Sequence, residues 1–157
     1  MRNRIRADPQ PYQRLARTLL YTKELESLIE MAEGEYLELR NANNRIKRAL
    51  LERMTHAESV ELYRALEGAR NAVSVLPLDE PSSSNEDSSL EETYPDVNDL
   101  AASLAKMDDV SRRQLESGVA GNLQTLKTTY AHTKRGYAIL QAQHDVLMNE
   151  VRRLGRR

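Results

Sequence analysis

Apolar positions recur along the first part of the chain in alternating steps of four and three residues. The run is Leu25, Ile29, Ala32, Tyr36, Leu39, Asn43, Ile46, Leu50, Arg53, Ala57 and Val60, and nine of these eleven positions are apolar or Tyr. A stripe with a period of 3.5, kept over successive heptads, is the pattern of a coiled-coil seam. Leu25, Ala32, Leu39, Ile46, Arg53 and Val60 take the d positions; Ile29, Tyr36, Asn43, Leu50 and Ala57 take the a positions. Leu28, Met31, Leu37, Ala42, Ala49, Leu51 and Met54 widen the stripe beyond strict a and d. A face of that width predicts packing against more than one helix.

Two polar residues interrupt the seam. Asn43 at an a position is either a register-fixing layer, stability traded for pairing specificity, or a weak layer beside solvent. Arg53 at a d position is tolerated where its stem packs and its head reaches water. Thr55 and Glu58 then have the spacing of a capping box. Beyond them Leu62, Leu66, Ala69, Val73 and Leu76 form a second stripe, out of phase with the first. The first helical arm, residues 12–76, is therefore expected as one long helix to Arg53 and a shorter one from His56 to Val75. A single helix kinked near 53–56 is the alternative.

A second arm is expected over residues 96–154. Asp96 follows Pro95 and precedes Asp99, which places an N-cap and an acid in the first turn. Val97, Leu100, Leu104, Met107, Ser111, Leu115, Val119 and Leu123 follow, with stutter-like steps of four. The repeat then settles into heptads at Leu126, Tyr130, Thr133, Tyr137, Leu140, His144, Leu147, Val151 and Leu154. Gly118 and Gly121 mark residues 118–121 as irregular, because each costs about 1 kcal/mol against Ala inside a helix. Either the helix turns there or a neighbouring backbone approaches closely.

Between the arms lies a stretch of different character. Residues 77–95 run from Pro77-Leu78-Asp79-Glu80-Pro81 into a cluster of Ser, Asp and Glu. Proline, serine and like charge together bury too little apolar area to offset chain entropy, so a disordered linker is expected. Residues 79–99 carry eight acids and no base, a charge of −8, against +2 for residues 1–78 and +5 for residues 100–157. Ser83, Ser84, Ser88 and Ser89 each precede an acid by three residues, a spacing that acid-directed kinases favour. A solvated linker needs no such role.

Composition sharpens the fold class. The chain has 157 residues, of which 39% are hydrophobic and 30% charged; all seven aromatics are Tyr, and Phe, Trp and Cys are absent. Without large apolar rings the core must come from Leu, Ala, Val, Ile, Met and Tyr, which suits helices packed along seams. The expected fold is all-α: an elongated helical hairpin or pair of coiled-coil arms joined by an acidic disordered linker. The arms either fold back as an antiparallel hairpin or pair with helices of other chains. Zero cysteines exclude disulfides, thiolate metal sites and Cys catalysis. No run of about 18 apolar residues exists, so no membrane-spanning helix is expected.

No catalytic constellation stands out. His56, His132 and His144 lack a second ligand at metal spacing, and no phosphate loop, nucleophile elbow or zinc-protease motif occurs. No catalytic residue, cofactor or metal is assigned, and an enzyme is not expected. Leu62-Tyr63-Arg64 spells the tripeptide of the mitochondrial LYR-motif family. Here it lies past residue 60 in a chain with no Phe, whereas that family has it near the start of a small domain with a Phe downstream. It is read as a coincidence. The basic tails, residues 1–11 with Arg2, Arg4 and Arg6 and residues 155–157 with Arg156 and Arg157, admit contact with nucleic acid, a membrane or an acidic partner. Near-neutral overall charge and the lack of a stacking set disfavour nucleic acid. Asp8 and Pro9-Gln10-Pro11 interrupt an import-signal pattern and disfavour mitochondrial targeting.

The expected function is that of a structural subunit in a hetero-oligomeric helical assembly, intracellular in the cytoplasm or nucleus. Its partners would be other helical proteins, with a hetero-oligomer favoured over a homodimer, and no small-molecule substrate. The partner-binding seam would comprise Leu25, Ile29, Tyr36, Leu39, Asn43, Ile46, Leu50, Leu126, Tyr130, Tyr137, Leu140, His144, Leu147 and Val151. Chromosome-segregation (kinetochore or spindle) and cytoskeletal complexes rank first, because helical reach is their common need. A membrane-tether or trafficking complex, or a transcription coactivator, is the alternative.

Overall fold

The computed structural model describes residues 9–77 and 97–156. They form an all-α fold of four helices with no strand among the described residues: α1 Pro9–Arg53, α2 His56–Ser74, α3 Val97–Ala105 and α4 Asp109–Gly155. The expected acidic linker, apart from Pro77, lies outside the described residues, as do Asp96 and the four serines Ser83, Ser84, Ser88 and Ser89.

Three helix boundaries have a local cause. α1 starts at Pro9, inside the stretch expected to be a tail. A proline lacks the N–H that the first helical turn leaves unbonded, so Pro9 and Pro11 both fit that turn. α1 ends at Arg53, and Thr55 takes an extended backbone at φ −69° and ψ 165°. Its Oγ1 accepts from the Glu58 N–H at 3.2 Å, while its own N–H donates to Glu58 Oε1 at 3.1 Å. This reciprocal capping box starts α2 and separates it from α1.

The break in the second arm falls elsewhere than expected. The chain leaves the helix at Lys106–Asp108, and α4 then runs unbroken through residues 118–121. The Asp108 carboxylate accepts from the Ser111 N–H at 3.0 Å and so caps the new helix. Hydrogen bonds from the Ser111 backbone and side chain hold the Asp108 carboxyl below its ordinary range. A Cβ added at Gly118 or Gly121 would meet nothing within 4 Å. Neither a turn nor a close backbone approach occurs there; both glycines lie on an exposed face, where their helix penalty meets no steric consequence.

The described residues divide into two compact units, with the division inside α1 and inside α4. The first unit holds residues 9–28 and 97–129. Its core is Leu15, Ala16, Val97, Ala101 and Leu104, with Tyr12, Leu19, Leu20, Leu100, Met107 and Leu115 around it. α3 docks on α1 through this cluster and through Gln13 Nε2, which donates to Asn98 Oδ1 at 3.0 Å. The Arg112 guanidinium lies 4.8 Å from the Tyr12 ring centre and the Lys127 ammonium 6.0 Å from that of Tyr21. Ascending residues of α1 thus meet ascending residues of α4, and the two run parallel here.

The second unit holds residues 29–77 and 130–156, and is a three-helix bundle of α1, α2 and α4. Leu50, Leu62, Leu66, Leu147 and Leu154 form its core, joined by Ile46, Leu51, Met54 and Val146. α2 returns antiparallel to α1 after the Thr55 turn. It is also antiparallel to α4: Glu58 pairs with Arg153, Leu66 O accepts from Gln143, and Leu76 O accepts from Arg135. α1 and α4 are consequently parallel, with Tyr36 beside Gly136 and Asn43 beside Leu140 and His144. Of the two alternatives for the arms, the antiparallel hairpin is not the arrangement of these segments. A short α2 takes the antiparallel place beside α1 and leaves the parallel place to α4.

The widened stripe on α1 is used unevenly. Leu51 and Met54 pack on the second unit's core. Leu28, Met31 and Leu37 stay exposed, Met31 at 63% and Leu37 at 47%. Arg53 is exposed, so its head reaches water as a d-position arginine requires.

Candidate functional site

The second unit holds a buried polar layer at Asn43. Asn43 is only 6% exposed, yet both ends of its carboxamide are used. Nδ2 donates to Leu140 O at 2.9 Å, and Oδ1 lies 2.8 Å from His144 Nδ1. An amide oxygen can only accept, so His144 carries its proton on Nδ1 in this pair. One asparagine therefore binds a backbone carbonyl and the side chain one turn further along α4. Shifting α1 by a turn along α4 would leave the buried carboxamide unsatisfied, which costs more than the bonds themselves are worth. Of the two readings open for Asn43, the register-fixing layer is the one its burial supports.

A groove of about 610 Å³ opens beside this layer. Asn44 and Lys47 of α1 line one wall; Tyr63, Glu67, Arg70, Asn71 and Ser74 of α2 line the other. Leu66, Leu140, Leu147 and Gln143 lie at its base with Asn43. Gln143 Nε2 donates to Leu66 O at 3.1 Å and ties α4 to α2 across the floor. The Lys47 ammonium stands 6.0 Å from the Tyr63 ring centre, joining the two walls at the Tyr63 end. The lining is rich in amides and carries both signs of charge over an apolar base. It offers paired donors and acceptors, as a protein segment requires, rather than a nucleophile with a base beside it.

The predicted seam residues are distributed as follows. Leu25, Ile29, Asn43, Leu50, Leu140 and Leu147 are buried within their units, and Leu147 is 1% exposed. Tyr36, Leu39, Ile46, Leu126, Tyr130, Tyr137 and His144 are half-buried, while Val151 is exposed at 38%. Asn43, Leu140 and His144, taken from different stripes, meet one another. His56 and His132 are exposed and lie apart from the groove. Among the described residues no group of three or more His, Cys, Asp or Glu could hold a metal ion. No helix of the described residues is long and apolar enough to cross a membrane.

Two features of the site have no counterpart in the heptad pattern. Gly136 faces Tyr36 so closely that a Cβ there would lie 2.9 Å from Tyr36 Cε2. Its position between Arg135 and Tyr137 carries no periodic signal. The groove wall on α2 is made by polar residues, Glu67, Arg70, Asn71 and Ser74, which alone read as a solvated face. Compared with protein-family models, with curated proteins and with solved structures, the chain matches none.

Proposed function

We propose that this chain is a non-enzymatic helical subunit of a hetero-oligomeric assembly, and that the groove between α1 and α2 of the second unit receives a segment of a partner protein. The observation that carries this reading is the groove itself: amide-rich walls of mixed charge on α1 and α2 over a leucine base, beside the Asn43 layer that fixes α1 on α4. Tyr63, half exposed on the rim, supplies the aromatic anchor that interfaces favour. The uninterrupted lengths of α1 and α4, 45 and 47 residues, suit an architectural role in a chromosome-segregation or cytoskeletal complex, where helices set spacing between partners.

The test uses exposed groove residues, because replacing Leu140 or Leu147 would disrupt the core that builds the groove. Tagged wild-type chain and the Tyr63→Asp/Asn71→Arg variant are purified from the native cell, and the co-purifying chains are identified and quantified. The reading expects near-stoichiometric helical proteins with the wild type, lost with the variant, while its far-ultraviolet circular dichroism is unchanged. A folded variant that keeps all the wild-type partners overturns it.

A further inference from the structure

Parallel packing has a consequence at one end of the second unit. Because α1 and α4 run the same way, their C-terminal segments lie toward the same end, together with the Thr55 turn and the start of α2. Residues 45–58 and 149–156 hold seven basic side chains, Arg45, Lys47, Arg48, Arg53, Arg152, Arg153 and Arg156, against three acids, Glu52, Glu58 and Glu150. Arg153 is committed to both Glu58 and Glu150, at 2.8 and 2.7 Å. These two carboxylates hold its guanidinium protonated, Glu150 contributing most. Arg152 donates to Asn149 Oδ1. Arg45, Arg48, Arg53 and Arg156 are exposed and make no side-chain hydrogen bond or ion pair among the described residues.

Helix ends do not require this much charge. Each helix C-terminus is equivalent to roughly −0.5 of an elementary charge, and the N-terminus of α2 returns roughly +0.5. One arginine is enough to balance that sum. Four uncommitted guanidiniums remain, each a rigid fork of donors matched to a carboxylate or phosphate.

We infer that this arginine-rich end binds an acidic protein segment, a run of Asp and Glu side chains on a partner. Two observations favour carboxylates over nucleic acid or lipid. No Tyr, Phe or Trp occurs in residues 45–58 or 149–156 to form a stacking platform for bases. Val151 is the sole exposed large hydrophobic in those two stretches, too little to insert into a bilayer. The inference goes beyond the groove and does not depend on it, since none of the four uncommitted arginines lines that cavity.

The test is fluorescence anisotropy on the full chain with three probes: a labelled oligoglutamate peptide, a labelled DNA duplex, and vesicles containing phosphatidylserine. The chain is compared with Arg48→Glu/Arg156→Glu, which alters two uncommitted side chains, and with Arg113→Glu, an exposed arginine of the first unit. Circular dichroism confirms that all three fold. The peptide is expected to bind, more weakly as salt rises, with the double variant weaker by about tenfold and Arg113→Glu unchanged. No peptide binding by the wild type, equal loss in both variants, or tighter binding of duplex or vesicles than of peptide overturns the inference.

Discussion

Truncating Asn43 to alanine removes a buried polar contact that reads the register of α1 on α4. The wild-type side chain makes two hydrogen bonds at 2.8–2.9 Å while 6% exposed. Each is worth about 1 kcal/mol net, so their loss sums to about 2 kcal/mol. Two features keep the cost from rising further. Leu140 O remains positioned to accept the helical N–H of residue 144, and the half-buried His144 can turn to water. In a chain of this size, about 2 kcal/mol lowers the melting temperature by about 4–8 °C. Asn43→Leu is a different perturbation, since an apolar side chain of similar volume replaces the carboxamide. Both former partners have substitutes, so stability should stay within about 1 kcal/mol of wild type while the register constraint is lost. Urea unfolding followed by circular dichroism measures both variants. A double-mutant cycle with His144→Ala should give a coupling of about 1 kcal/mol, the worth of one hydrogen bond. An Asn43→Ala variant as stable as wild type, or a cycle with no coupling, would refute the buried-network argument.

Further outcomes follow from the helix boundaries and glycines. Gly118→Ala and Gly121→Ala should each raise stability by about 1 kcal/mol, because the added methyl meets open space and helix propensity improves. Gly136→Ala should fall well short of that gain or destabilise, since the methyl must displace the Tyr36 ring; thermal melts of the three variants make the comparison. Thr55→Ala should cost about 1 kcal/mol by opening the capping box, while Glu58→Gln keeps a side-chain acceptor for the Thr55 N–H and weakens the pairing with Arg153; urea midpoints separate the two. The lowered carboxyl of Asp108 stabilises the fold above the ordinary Asp range and ceases to do so as pH falls through its folded value. Melting temperatures measured from neutral to acidic pH should therefore fall less steeply at the acid end for Asp108→Asn than for wild type.

The parts of this fold that were legible in the sequence are those set by local chemistry. The stop at Arg53 and restart at His56 rest on Thr55 and Glu58, which are close in sequence and cap each other without tertiary help. The heptad stripes place Leu25, Leu50 and Leu147 inward because helical periodicity alone assigns their face. The break at Lys106–Asp108 was masked because the step from Met107 to Ser111 continues a helical period across it. Asp108 followed by Ser111 carried the signal for that start, an N-cap acid with its partner N–H three residues on. Attention to Gly118 and Gly121 misplaced the irregularity, because an exposed glycine weakens a helix without ending it. Direction is a separate matter: a heptad stripe reads the same for parallel and antiparallel partners, so the pairing of α1 with α4 had no sequence signature. The groove was equally hidden, since Glu67, Arg70 and Asn71 form a wall only once α2 lies beside α1.

The groove exists only if α1 and α4 run parallel in the second unit, and cysteine cross-linking tests that most directly. The chain has no cysteine, so an introduced pair reacts without background. Tyr36→Cys/Gly136→Cys and Tyr36→Cys/Val151→Cys are treated at low protein concentration with a short bismaleimide. The parallel bundle predicts efficient intramolecular cross-linking of the 36–136 pair and none of the 36–151 pair, whose second site lies about 22 Å further along α4 at 1.5 Å per residue. Cross-linking of 36 to 151 in preference to 136 would mean antiparallel helices and would contradict the account.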